Sequence, residues 1–262
     1  MLLQDKVIMI SGIGPGLGVK LAVEAAREGA AGVAIAARTE QKLIDAEAQI
    51  RAIGSACEVL RQPTDISDRS ACKRFVEATV ERFGRIDGLI NSAYIHGDFM
   101  PVESGNLEHW REVFDINLFG TLTLTQEVLA QMKAQQAGAI AIINTLGVQK
   151  PYAGGACYAA SKGALAVAVR YLASELAAHG IRTNGLACGW MWGEPVQAHV
   201  RQTAASHGLA EQQVIDQFSA QIPGGRMPTD GDCARAALFL VSDYARAING
   251  AQLDANGGEY MR

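Results

Sequence analysis

The chain has 262 residues, 49% hydrophobic and 19% charged, with 28 glycines and a net charge of −4. This balance fits a globular protein rich in tight turns, with enough apolar side chains for one large core. No lysine or arginine stripe suited to a phosphate backbone is present and no segment reaches membrane-span length, so nucleic acid and membrane are excluded as partners.

The first predicted strand is 6–11, within an opening stretch whose charges interrupt its apolar run and which lacks a signal-peptide cleavage pattern. Further strands are predicted at 32–37, 56–61, 86–91, 139–144, 181–187 and 251–254. Between them fall predicted helices at 16–28, 40–53, 67–83, 107–133, 152–178, within 195–221, and at 230–242. Short apolar runs alternating with longer amphipathic ones imply βαβ units. The expected fold class is therefore α/β: a single doubly wound, Rossmann-like domain over 1–262, with a seven-stranded parallel sheet and helices on both faces. The polar stretch at about 190–222 reads as a mobile substrate lid. Five cysteines, Cys57, Cys72, Cys157, Cys188 and Cys233, form no C-x-x-C pair. They read as buried thiols in a reducing, cytoplasmic setting. The five histidines lack metal-ligand spacing, so no metal is expected.

Directly after the first strand comes Ser11-Gly12-Ile13-Gly14-Pro15-Gly16-Leu17-Gly18, followed by a predicted helix. Glycines in a strand–turn–helix context let the backbone approach a pyrophosphate, whose charge sits on free N–H groups at the helix start. The spacing Gly-x-x-x-Gly-x-Gly is wider than the G-x-G-x-x-G of the standard dinucleotide fold, and no Lys-Ser/Thr marks a P-loop. Farther along, Tyr158 and Lys162 lie four residues apart in Tyr-Ala-Ala-Ser-Lys, on one face of a predicted helix. An ammonium one turn from a phenol favours the phenolate, and such a pair suits acid–base chemistry on an alcohol or carbonyl. A solvated surface pair is the alternative at this spacing.

Together these motifs resemble the short-chain dehydrogenase/reductase family over nearly the whole chain. Gly12, Gly16 and Gly18 match its glycine motif, with Leu17 between them. Asp65, followed by Ile66, matches its adenine-contacting acid. Asn91-Ser92-Ala93 matches part of its Asn-Asn-Ala-Gly signature, and Asn117 its helix asparagine. The resemblance implies an NAD(P)-dependent alcohol dehydrogenase or ketone reductase, with Tyr158 as acid/base. Lys162 would lower the tyrosine's pKa and hold the nicotinamide ribose, and Asn117 would anchor a water beside Lys162. Thr145, thirteen residues before Tyr158, takes the place of the family's serine, although it also reads simply as the end of a strand. Cys188-Gly189 stands for the family's Pro-Gly, and Gly193 falls where a threonine is common, so the carboxamide end would be held by backbone around Gly189.

At the end of the second strand Ala37 occupies the acidic position and Arg38 follows, which favours the 2′-phosphate of NADP. Pro15 leaves the glycine turn uncharged and Arg38 can equally stack on adenine, so NAD stays open. The implied substrate rim is Tyr94, Ile95, Leu146, Tyr152, Trp190, Met191 and Trp192. This rim suits a small hydrophobic substrate, a terpene-like, steroid-like or alicyclic secondary alcohol or ketone. Trp190 and Trp192 also read as packing residues, and His96, on the loop after Asn91, reads as a substrate contact or, more simply, as a solvated loop histidine. Alternatives to this function are a cofactor-binding regulatory protein without turnover and a 3-oxoacyl-thioester reductase. The family's habit of pairing the long helix and the C-terminal tail implies a homotetramer. The small residues Ala164, Ala166, Ala168, Ala173 and Ala177 would serve such packing or packing within one subunit.

Overall fold

A computed structural model describes residues 1–261 and places the elements in the order β1 (Val7–Ser11), α1 (Leu17–Arg27), β2 (Gly32–Ala37), α2 (Glu40–Ala52), β3 (Glu58–Pro63) and α3 (Arg69–Phe83). There follow β4 (Gly88–Asn91), α4 (Leu107–Phe114), α5 (Thr121–Gln135), β5 (Gly138–Thr145), α6 (Ala156–Leu176) and β6 (Ile181–Cys188). The chain ends with α7 (Glu194–His207), α8 (Glu211–Ser219), α9 (Asp230–Val241) and β7 (Gln252–Ala255). All strand pairs are parallel, in the order β3-β2-β1-β4-β5-β6-β7. The order reverses between β1 and β4, and the crevice at that switch is where such sheets take a ligand.

Strand side chains alternate between faces, and here both faces are apolar because helices cover both. Ile8, Ile10, Val33 and Ile35 face Leu21 and Ala25 of α1, Leu43 of α2 and Leu238 of α9. Their sequence neighbours Met9, Ala34 and Ala36 face the other way, with Ile140 and Ile142, against Phe75 of α3, Leu124 and Val128 of α5 and Leu165 and Val169 of α6.

The structure corrects several boundaries. The predicted strand at 56–61 lies at Glu58–Pro63, two residues later, because it pairs along β2 from Gly32↔Glu58 to Ala37↔Pro63. The long helix carrying Tyr158 begins at Ala156 and not at 152, because Gly154 has φ +75° and the turn breaks there. The predicted helix at 107–133 is α4 and α5 joined by one widened, π-helical turn, Asp115–Gly120. Within 195–221 there are two helices, α7 ending at Gly208 with φ +63°. They share a small apolar cluster of their own, Val200, Ala204 and Val214 packed with Trp192, Val196, Ile215 and Phe218.

Candidate active site

The carboxyl ends of the central strands carry the residues singled out by the sequence. Gly12 has φ +86°, and a side chain there would sit 2.5 Å from the Ala93 Cα. The turns after β1 and β4 thus touch backbone to backbone, with Asn91 and Ser92 buried beneath them. Asn91 is fixed by donating from Nδ2 to the Thr125 hydroxyl (3.1 Å). A Cβ on Gly18 would overlap the Gly12 carbonyl and lie 2.9 Å from the Ile13 Cα, so this glycine allows α1 to pack on its own strand. Gly16 is the N-cap of α1 and offers no side-chain cap, and no acidic residue occupies the first turn, which begins at Leu17. The free amide groups of that turn form an anion site of the kind a pyrophosphate takes.

At the neighbouring strand ends, the Asp65 carboxylate accepts hydrogen bonds from the Ser67 amide (2.9 Å) and hydroxyl (2.7 Å). Although partial burial opposes it, these bonds and nearby Arg38 hold the Asp65 carboxyl below its usual value. Arg38 itself is exposed. Ile66 is buried and packs where a side chain on Gly120 would be, since a Cβ there would lie 2.9 Å from Ile66 Cγ1. The groups expected to meet the adenosine half of a dinucleotide are therefore clustered.

The hydroxyl and ammonium groups converge at the ends of β5 and β6. Thr145 ends β5, accepts the Gly147 amide on its hydroxyl (3.1 Å) and neighbours the Tyr158 hydroxyl closely enough to lower its pKa. Lys162 is only 2% exposed, donates to the Ile143 carbonyl (2.9 Å), and lies 6.0 Å from the centre of the Tyr158 ring and 5.8 Å from that of Tyr94. Burial lowers its pKa to about 8. The expectation that Lys162 brings Tyr158 toward the phenolate is not met in the chain alone. Burial first, then Tyr94, Tyr152 and Cys188, push the Tyr158 hydroxyl well above its usual pKa, and only the Thr145 hydrogen bond pulls it down. Tyr158 is thus held protonated.

Asn117 is fully buried in the widened turn and exchanges two hydrogen bonds with the Ile95 backbone, accepting its amide (2.8 Å) and donating to its carbonyl (2.9 Å). It also donates to Ser161 Oγ (3.1 Å), which donates to the Tyr158 carbonyl (2.7 Å). Its side chain is therefore committed to fixing the loop after β4 against α6. Cys188, at the end of β6, is buried beside Cys233, and that contact and burial raise its pKa well above the thiol range. A side chain on Gly189 would lie 3.0 Å from the Cβ of Asn256 and from Glu259 Oε2, so this turn is pressed onto the C-terminal tail.

On the substrate side, Tyr94 lies 5.8 Å from Tyr158, ring centre to ring centre, and Leu146 is buried. Trp190 packs instead on Phe218 (4.5 Å) and His199 (6.0 Å), and Trp192 on the cluster of α7 and α8, so both tryptophans tie the segment 190–222 together. His96 does not behave as a solvated loop residue. Its ring stacks on Tyr158 with centres 4.3 Å apart and planes 21° from parallel, and Tyr152 hydroxyl meets its Nε2 at 3.2 Å. This agrees with the reading of His96 as a substrate contact, but the stack on Tyr158 was not legible in sequence, because only the loop path after β4 brings the ring there. Asp230 was missed as well. It is 4% exposed at the start of α9, and a side chain on Gly193 would overlap its carboxylate. The carboxylate thus fills the volume of the missing threonine. A cavity of about 840 Å³ runs past Asp230 between Gly14, Gly193 and Lys42.

This arrangement of sheet, glycine turn and Tyr/Lys helix defines a nicotinamide-dependent oxidoreductase of the doubly wound class. Residues 12–259 match the family described as enoyl-(acyl carrier protein) reductase. Levodione reductase from Leifsonia aquatica is 31% identical over 97% of this chain and 94% of its own. The crystal structure of levodione reductase superposes with a TM-score of 0.91 over 98% of both chains at 31% identity. NAD+-bound xylitol dehydrogenase gives 0.90 at 27% identity, over 98% of this chain and all of that one. A variant of actinorhodin polyketide ketoreductase with NADPH gives 0.88 at 26% identity, over 99% of both. The chain belongs to the short-chain dehydrogenase/reductase family and is an NAD(P)-dependent oxidoreductase acting on alcohols or ketones. No helix among the described residues is long and apolar enough to cross a membrane.

Proposed function

We propose that the enzyme interconverts a small, largely apolar, ring-shaped ketone and its secondary alcohol, with Tyr158 as the proton donor and acceptor. The observation that carries this reading is Tyr158 with Thr145 beside its hydroxyl and the buried Lys162 ammonium 6.0 Å from its ring, set at the strand ends beside the glycine turn. Tyr158, kept protonated by its burial, delivers its proton to the carbonyl oxygen during reduction, and Thr145 orients that oxygen. Lys162 supports the phenolate once the proton has left and would hold the nicotinamide ribose when the dinucleotide is bound. Asn117 fixes the Tyr94–His96 loop over α6. The dinucleotide, when bound, supplies or accepts the hydride.

The uncapped start of α1, with Gly12, Gly16, Leu17 and Gly18, suits its pyrophosphate. Asp65, Ile66, Asn91, Ser92 and Ala93 would line the adenosine side, and backbone near Gly189 the carboxamide. Exposed Arg38 favours NADP over NAD. Tyr94, Leu146 and Tyr152 form the substrate wall. Residues 190–222, with their own apolar cluster, move as a lid tied by Trp190 and Trp192. The chain acts as one domain in the cytoplasm, and as a homotetramer through the outer face of α6, where Val167 and Tyr171 are exposed beside Ala164 and Ala168. Ala173 is buried within its own subunit and takes no part.

The test is Tyr158→Phe, assayed with NADPH and NADH against cyclic ketones. Turnover should disappear while reduced-cofactor fluorescence still reports binding close to that of the wild type. Retained turnover would remove Tyr158 from the acid/base role.

A further inference from the structure

The loop after β4 and the turn after β5 are locked around one polar pair beside Tyr158. The ring of His96 is held between Tyr158 and Phe99, each 4.3 Å away and within 21° of parallel, so both its faces are covered by aromatic carbon. Only its edge is left for polar contact, and there Tyr152 hydroxyl meets Nε2 at 3.2 Å. The Tyr152 ring is itself seated by absences. A Cβ on Gly155 would overlap it, and one on Gly147 would lie 3.0 Å from its Cε1. Gly154, with φ +75°, brings the same turn against Phe99, where a Cβ would lie 2.8 Å from the Phe99 carbonyl carbon. On the far side, the Asp98 amide donates to His109 Nε2 (3.1 Å), which anchors the loop to α4.

The pair is built, and it stays open to solvent: His96 is half-buried and Tyr152 is 42% exposed. Burial lowers the pKa of His96 and raises that of Tyr152, so both are neutral near pH 7. A neutral imidazole has one donor and one acceptor nitrogen. With Nε2 accepting from Tyr152, the phenol oxygen is left to accept from a ligand hydroxyl. With Nε2 protonated and donating, the Tyr152 O–H is freed to donate to a ligand carbonyl. A tautomer change therefore lets one edge recognise either oxidation state of an oxygen substituent.

We propose that His96 and Tyr152 recognise a second, uncharged oxygen of the substrate, so that the enzyme prefers ketones carrying a further hydroxyl or carbonyl on the same small skeleton over plain hydrocarbon ketones. This rests on the ketone–alcohol reading above and narrows it: the wall beside Tyr158 is aromatic in its faces and polar at one edge. A site made to hydrogen-bond a substrate oxygen discriminates against the analogue lacking it, because its own polar groups are then left unpaired.

The experiment compares kcat/KM for cyclohexanone, 3-hydroxycyclohexanone and 4-hydroxycyclohexanone in wild type, His96→Phe and Tyr152→Phe. Phenylalanine at 96 keeps the aromatic stack and removes both nitrogens. In the wild type at least one hydroxyketone should exceed cyclohexanone by about tenfold or more, and that ratio should fall about tenfold in His96→Phe. Tyr152→Phe should lower it in the same direction, and decides the matter alone if His96→Phe does not fold. A wild-type ratio near one, an unchanged ratio in the variants, or equal losses on all three ketones would overturn the assignment while leaving the ketone–alcohol reading in place. Wild-type protein that turns over none of the three would refute that reading, and this assignment with it.

Discussion

Asp230→Asn should make the protein more stable at neutral pH. Asp230 begins α9 and is 4% exposed, and its carboxylate is wedged against the Gly193 backbone. Burial raises its pKa from 3.8 to about 6, with Lys20 offsetting part of the effect. Because the folded value lies above the unfolded one, folding takes up a proton between roughly pH 4 and 6. The contribution to stability is therefore complete below pH 4 and lost as pH rises through 6. At pH 7 and above, the carboxylate is charged in both states and its burial costs about 3 kcal/mol. A negative charge at a helix start returns up to about 1 kcal/mol, which asparagine forgoes, so the expected gain is about 2 kcal/mol. Asparagine is close to isosteric and creates no cavity. Urea unfolding at fixed protein concentration, read at pH 4 and pH 8, should show the variant ahead by about 2 kcal/mol at pH 8 and level at pH 4. A variant no more stable than wild type at pH 8, or a difference independent of pH, would refute the reasoning.

Lys162→Met follows the same logic with the opposite sign. Burial lowers this ammonium to about 8, so its penalty is present below pH 8 and vanishes above about 10.5. After the loss of its bond to the Ile143 carbonyl, the variant should gain about 2 kcal/mol at pH 7 and lose turnover, as thermal unfolding across pH and a ketone assay would record. Gly12→Ala combines φ +86° with overlap on Ala93. It should cost about 2 kcal/mol or more in urea unfolding and abolish reduced-cofactor binding. Arg38→Ala should weaken NADP binding about tenfold or more in a fluorescence titration and leave NAD within about threefold; equal losses would show that Arg38 does not hold the 2′-phosphate.

The layered fold was legible because its signals are local. Runs such as Val7-Ile-Met-Ile and Ala139-Ile-Ala-Ile-Ile are apolar at every position, which only a strand covered on both faces requires. The glycine turn could be read because Gly12 must adopt a left-handed φ and Gly18 must leave room for the Gly12 carbonyl. The Tyr158–Lys162 spacing placed both side chains on one helical face whatever surrounded them. What failed depended on burial and on loop paths. Tyr158 sits high in pKa because burial, and after it Tyr94, Tyr152 and Cys188, raise it, while the Lys162 ammonium is turned to the Ile143 carbonyl. His96 reaches Tyr158 because Gly97, at φ +77°, and the bond from Asp98 to His109 fold its loop inward. Asp230, 37 residues beyond Gly193, fills the volume a threonine side chain would take. Periodicity and turn chemistry act within one or two helical turns of chain, so the strands, the helices and the residue types at their ends could be read from neighbouring residues alone. Charge states and neighbours separated by tens of residues follow from desolvation and packing, which exist only once the chain has folded.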